Sequence, residues 1–158
     1  GPHIIGEEDD IKVSDLVITP HTGELCSIMG LEKIDLSQRL SINEDAVKRF
    51  GTISVLKGAA SVTTGIDDNM PVNYINPTGN WGMASAGTGD ILTGIIGSLL
   101  CQGMEPLYAA VCGTYIHGLA ADIMSKKTSR TSLIATDIIE GIKEVFLEIE
   151  KIKYKKEE

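Results

Sequence analysis

The chain has 158 residues, 42% of them hydrophobic and 23% charged, enough for one folded domain with its own core. A net charge of −8 excludes a nucleic-acid partner held by a basic surface. No stretch reaches the roughly eighteen uncharged apolar residues of a membrane span, and no secretory signal pattern is present, so a cytoplasmic protein with no membrane partner is expected.

Aromatic residues make up only 4% of the chain, so the core must be built from Ile, Leu, Val and Ala. Cys26, Cys101 and Cys112 are odd in number and set in apolar surroundings. They read as buried, reduced thiols rather than a disulfide framework or a metal site. The start Gly1-Pro2-His3 lacks an initiator Met, so residues 1–13 read as a leader or the start of a fragment.

Leu16–Thr19 is a short apolar run stopped by Pro20, a buried strand entering a loop. Thr22–Met29 follows as a helix with Gly30 at its C′ position. Ser41-Ile-Asn-Glu44 has capping-box spacing and opens a helix that Gly51 stops. Thr52–Leu56 reads as a fully buried strand. Ala60–Thr64 and Val72–Asn76 flank a turn around Asp67-Asp-Asn69, a hairpin signal. Asp90–Cys101 is apolar nearly all round and is expected to be a buried helix. Pro106 suits the first turn of a helix running to about Ser125. Thr136 is positioned to cap the last helix, whose stripe is Ile138, Ile139, Ile142, Val145, Phe146, Ile149 and Ile152. Residues 151–158 form a charged tail.

This order is α/β. Only two of its strands have the character of a parallel sheet, too few to cover three largely apolar helices. Residues 1–158 therefore read as a single domain that is the C-terminal half of a larger doubly wound one, with a homo-oligomer or a second fragment of the same protein completing the sheet.

Three constellations can carry chemistry. The richest is Asn76-Pro-Thr-Gly-Asn-Trp-Gly-Met-Ala-Ser-Ala-Gly-Thr-Gly-Asp90, a glycine loop opening into a helix. Glycines leave backbone N–H groups uncovered, and a helix N-terminus adds unpaired donors and a positive dipole end. Together they make an anion seat suited to phosphate. A carboxylate at its rim is repelled by phosphate and better placed to take a proton from an attacking hydroxyl, which is the role expected of Asp90. The second is Thr19-Pro20-His21-Thr22-Gly23-Glu24, at the carboxyl end of a strand, where ligands of open α/β sheets bind. There His21 either donates to a substrate or only bonds the helix start, and Glu24 complements the helix dipole. The third is Val55-Leu56-Lys57-Gly58-Ala59-Ala60-Ser61, in which Lys57 either reaches a phosphate as a point charge or is a solvated strand-end lysine.

Asn76 and Asn80 flank a Pro-Thr-Gly turn and orient the loop or reach a phosphate. Trp81 is placed to cover a base or ring. His117 reads as a packed histidine rather than a ligand, with Asp122 one turn later supporting it or the loop. No Asp/Glu/His spacing marks a dedicated metal site, so a divalent ion would arrive on phosphates.

The motifs at 19–24, 56–59 and 76–90, followed by Tyr115-Ile-His-Gly-Leu-Ala-Ala-Asp122, resemble the ADP-dependent NAD(P)H-hydrate dehydratase family, long described as carbohydrate kinases. The resemblance covers about residues 14–145 and implies the C-terminal portion of a ribokinase-like three-layer α/β/α domain with a doubly wound, mostly parallel sheet. The implied reaction removes water from hydrated NADH or NADPH at the expense of ADP, giving AMP and phosphate, with Mg²⁺ as the accompanying ion. By motif position, His21 and Asp90 would contact the hydrated dinucleotide, with Asp90 as the base. Lys57, Gly58, Ala59, Ala60 and Ser61 would contact the adenine nucleotide, with Gly87, Thr88 and Gly89 on the same side. Ser61 stands where the family often has Thr, and Trp81 where Pro or another residue is common. Two other readings use the same residues: an ATP-dependent ribokinase-like kinase of a sugar or hydroxymethyl compound, and an inactive nucleotide-binding fragment.

Overall fold

In the computed structural model, residues 15–33 and 35–154 are described. The elements run β1 (Val17–Ile18), α1 (Thr22–Met29), α2 (Arg39–Phe50), β2 (Ile53–Leu56), β3 (Val62–Asp67), β4 (Met70–Ile75), α3 (Thr88–Cys101), α4 (Pro106–Lys127) and α5 (Ala135–Tyr154). The expected leader at 1–13 and the last four residues of the charged tail lie outside the described residues.

The strands pair in the order β1-β2-β3-β4. Strand β1 runs parallel to β2, with Val17 opposite Ile53, so α1 and α2 together form the crossover. The pairs β2–β3 and β3–β4 are antiparallel. Asp67 opposes Met70, leaving Asp68 and Asn69 as the hairpin loop, with φ of 45° and 63°. That is the left-handed pair a tight hairpin needs, and Asp and Asn accept it better than other side chains.

Period-two alternation along β2 assigns the layers. Ile53 and Val55 pack against Leu92 and Ile96 of α3 and Ala110 of α4. Leu56 faces the other way, onto Leu25 of α1 and Ala46 of α2. Burying side chains of this size contributes about 1.5–3 kcal/mol each, which makes this short strand the anchor of both cores. Helix α5 packs outside α4 through Ile138 and Val145 against Ala120 and Ala121.

A buried polar chain, invisible in the sequence, fixes α2 on the hairpin. Asn43 Nδ2 donates to Thr64 Oγ1 at 2.7 Å, and Ser54 Oγ donates to Asn43 Oδ1 at 2.7 Å. Thr64 Oγ1 donates in turn to Asn73 Oδ1 at 2.7 Å, and Asn73 Nδ2 donates to Glu44 Oε1 at 2.6 Å.

Several local expectations are corrected. Helix α2 starts at Arg39, directly from a 3-10 turn at Leu36–Gln38, so Ser41 lies inside it and donates back to the Gln38 carbonyl instead of forming a capping box. Helix α3 starts at Thr88 rather than Asp90, because Gly87, with φ of 86°, makes the boundary. That helix is buried on one side only, with Thr93, Gly94 and Ser98 exposed. Helix α5 begins at Ala135, and the carboxylate of Asp137 rather than Thr136 serves its start, accepting from the Ile134 N–H at 3.0 Å. Of the α5 stripe, Ile139, Phe146, Ile149 and Ile152 are exposed, since α4 meets only its inner edge. Cys26 is buried, but Cys112 is half-buried and Cys101 exposed at the end of α3. By length and composition α4 is apolar enough to cross a membrane, yet 56% of its most apolar window is buried inside this fold.

Candidate functional site

The carboxyl ends of β1 and β2 bring two of the sequence motifs together. His21 forms an isolated parallel bridge with Lys57, and the Lys57 N–H donates to the Pro20 carbonyl at 2.8 Å. His21 is also the N-cap of α1. Its Nδ1 accepts from the Glu24 N–H at 3.1 Å while its own N–H donates to Glu24 Oε2 at 2.6 Å. The cap fixes the ring: with Nδ1 accepting, the proton of the neutral form sits on Nε2. His21 thus caps a helix and also lines the cavity described below. Lys57 Nζ lies 3.6 Å from Glu24 Oε2. The hydrogen bond from the His21 backbone holds the Glu24 carboxyl below its usual pKa; burial opposes it, and the charge of Lys57 adds to the lowering.

The loop after β2 is strained and clamped. Gly58 has φ of 152° and Ala60 of 51°. Arg39, at the start of α2, donates through its two terminal nitrogens to the carbonyls of Ala59 and Lys57 at 3.1 and 3.3 Å. Sequence reasoning missed Arg39, because nothing near it in the chain signals a contact with a loop some twenty residues on. Across the site, Lys57 Nζ stands 3.3 Å from where a Cβ on Gly89 would lie, so the ammonium rests against the first turn of α3. Thr88 Oγ1 closes the glycine loop on the carbonyls of Met83 and Ser85, at 2.9 and 3.0 Å.

Helix α4 braces the loop from behind. Asn76 Nδ2 donates to the Thr114 carbonyl, and Thr78 Oγ1 lies 3.0 Å from the Tyr115 carbonyl. Asp122 accepts from the Gly79 N–H and from Asn80 Nδ2, each at 2.8 Å. The carboxylate therefore supports the loop rather than His117. Through these bonds Asn76 and Asn80 tie the loop to α4. Gly118 is required for the approach, since a Cβ there would lie 2.3 Å from Thr78 Oγ1 and 2.7 Å from the Thr78 carbonyl carbon.

These loops enclose a cavity of about 800 Å³. Of the expected residues, His21, Lys57, Gly58, Ala59, Ala60, Ser61, Asn76, Asn80, Thr88 and Gly89 line it, while Gly87 and Asp90 do not. Asp90 stands exposed in the first turn of α3, next in the chain to Gly89. Trp81 is 63% exposed and borders both this cavity and a neighbouring polar one lined by Lys126 and Arg130. His117 is packed, as expected, but it forms part of the cavity wall. Burial lowers its pKa to about 4, against the opposing effect of a hydrogen bond with the Thr88 backbone. Its Nε2 and the Ser85 Oγ, both from wall residues, are buried without a partner. Among the described residues no group of three or more His, Cys, Asp or Glu side chains is arranged to hold a metal ion.

Comparison with known proteins gives this geometry a family. Residues 7–144 match the family described as NAD(P)H-hydrate dehydratase. The ADP-dependent (S)-NAD(P)H-hydrate dehydratase of Neisseria meningitidis is 36% identical over 131 residues, covering 80% of this chain and 41% of that protein. Among solved structures, the Bacillus subtilis ADP/ATP-dependent NAD(P)H-hydrate dehydratase co-crystallized with ATP/Mg²⁺ superposes with a TM-score of 0.75 at 30% identity, over 84% of this chain and 47% of that one. A ribokinase-like superfamily protein of Enterococcus faecalis gives 0.56 at 28% identity, over 79% and 44%. The chain thus spans less than half the length of each of these relatives. By the match over most of its own residues, and by the three-layer α/β/α arrangement with its ribokinase-like neighbours, the chain belongs to the NAD(P)H-hydrate dehydratase family.

Proposed function

We propose that this site dehydrates hydrated NADH or NADPH at the expense of ADP, releasing AMP and phosphate. One observation carries the reading: three motifs far apart in sequence converge on a single cavity, with Lys57 laid across the glycine-loop end of α3. A point charge beside uncovered helix-start N–H groups is the arrangement that a migrating phosphoryl group needs.

In this reading the nucleotide lies along Lys57–Ser61 with its terminal phosphate at Thr88 and Gly89, and His21 meets the hydrated dinucleotide through its Nε2–H. Asp90 takes the proton of the C6 hydroxyl as its oxygen attacks phosphorus and AMP leaves. The exposure of that carboxylate keeps it open to a substrate arriving from the solvent side of the loop. Phosphate then departs with the hydroxyl oxygen, the lone pair of the ring nitrogen expels it, and loss of a C5 proton restores the dihydronicotinamide. The backbone donors would supply a few kcal/mol to the charge developing on phosphorus. Mg²⁺ would be held by the nucleotide phosphates and neutralise part of their charge.

The chain is further proposed to act as the C-terminal half of a larger domain, completed by a second fragment or copy. Its length relative to its relatives supports this, as does β1, a two-residue strand with β2 as its one partner among the described residues. The deciding assay follows the recovery of NADH absorbance from its hydrate with ADP present or omitted. Recovery that needs ADP is expected. Phosphorylation of a sugar or hydroxymethyl heterocycle with ATP, and no recovery from the hydrate, would overturn the reading in favour of a kinase.

A further inference from the structure

Three consecutive carbonyls at the edge of the cavity are held by side chains. Arg39 Nη2 donates to the Lys57 carbonyl at 3.3 Å, and Nη1 donates to the Ala59 carbonyl at 3.1 Å. Between them, Ser61 Oγ donates to the Gly58 carbonyl, also at 3.1 Å. Lys57 is held on its other side as well, since its N–H donates to the Pro20 carbonyl at 2.8 Å. Lys57, Gly58, Ala59, Ala60 and Ser61 all line the cavity, whereas Arg39 does not. The guanidinium lies directly on the loop, because a Cβ on Gly58 would stand 2.6 Å from Nη2.

The peptide bonds of the loop are trans, and in a trans peptide a C=O and the N–H that follows it point in opposite directions. Fixing the Lys57 and Ala59 carbonyls on Arg39 therefore turns the N–H groups of Gly58 and Ala60 away from it. Among the described residues neither N–H finds an acceptor. Ala60, with φ of 51°, sits in the left-handed region, and a side-chain-bearing residue stays there only where its surroundings over-determine it. The planar fork of an arginine can grip two acceptors at once, where a lysine ammonium is a single point charge.

We propose that Arg39 is a positioning residue for nucleotide binding. It does not touch the ligand. By gripping the Lys57 and Ala59 carbonyls it presents the Gly58 and Ala60 N–H groups as donors to the oxygens of the adenine nucleotide, and it fixes the backbone from which the Lys57 ammonium reaches α3. This role rests on the nucleotide reading of the cavity.

The test is a titration of the whole chain with ADP, followed by calorimetry and by the backbone amide signals in NMR. In the wild type, ADP should move the Gly58 and Ala60 amide signals. Arg39→Lys keeps the charge and loses the fork, so it should weaken ADP by about tenfold or more, the loss expected when well-formed hydrogen bonds are no longer aligned. At saturating ADP its Gly58 and Ala60 signals should stay nearly unmoved, while those of Thr88 and Gly89 still respond. Should the lysine variant fail to fold, Arg39→Gln decides, with the same losses expected. An arginine that only stabilised the fold would lower the melting temperature and leave both signals responding at saturation. Wild-type ADP affinity in the variant, or a full response of the two amides in it, overturns the role. So does a wild type that binds ADP without moving them, and the nucleotide reading then stands. A wild type that binds no ADP overturns both.

Discussion

Burial of His117 makes stability depend on pH in a way that can be worked out. Its pKa falls from 6.5 to about 4 on folding, chiefly because the ring is desolvated. A folded-state pKa below the unfolded value means that the unfolded chain binds the proton first as pH falls. The stability held above pH 6.5 is therefore lost progressively between pH 6.5 and about 4, and the loss is complete below that. At about 1.4 kcal/mol per pH unit the drop amounts to about 3 kcal/mol, a large share of a typical domain's stability. The comparison protein is His117→Gln, which cannot titrate and keeps a polar side chain beside the Thr88 backbone. Urea denaturation of both proteins at fixed ionic strength, from pH 4 to pH 7.5, gives a difference curve in which groups common to both cancel. The wild type should lose up to about 3 kcal/mol relative to the variant over that range. A flat difference curve, or one in which the wild type gains stability on acidification, would refute the burial argument.

Three further outcomes follow from the site. Gly118→Ala forces a methyl group against the Thr78 backbone, 2.7 Å from its carbonyl carbon, and should cost about 1–3 kcal/mol and lower the melting temperature by several degrees. An unchanged melting temperature would mean the loop does not press on α4. Asp90→Asn should leave ADP affinity intact and reduce turnover of the hydrate by about 10²–10⁴-fold, the range for losing a general base. Near-wild-type turnover would remove Asp90 from that role. His21→Ala should weaken the hydrated dinucleotide by about tenfold while sparing ADP, as read by calorimetry. Equal losses for both ligands would put His21 on the nucleotide side.

Local chemistry was legible in the chain itself. Gly30 and Gly51 end α1 and α2 in the left-handed conformation. Asp-Asp-Asn sets a hairpin loop, and Pro106 starts α4, because each of these residues restricts its own backbone whatever surrounds it. The three motifs and their strand-end positions were likewise readable, since glycines and a helix start carry their chemistry locally. Tertiary structure decided what depends on distant partners. Arg39 clamps a loop some twenty residues away, and Asp122 serves the glycine loop instead of the histidine one turn before it. The start of α2 moved to Arg39 because the preceding 3-10 turn runs straight into it. That the packed His117 also forms part of the cavity wall was decided in the same way, since the position of a ring belongs to the packing of α4 and the glycine loop and not to the residues beside it in the chain.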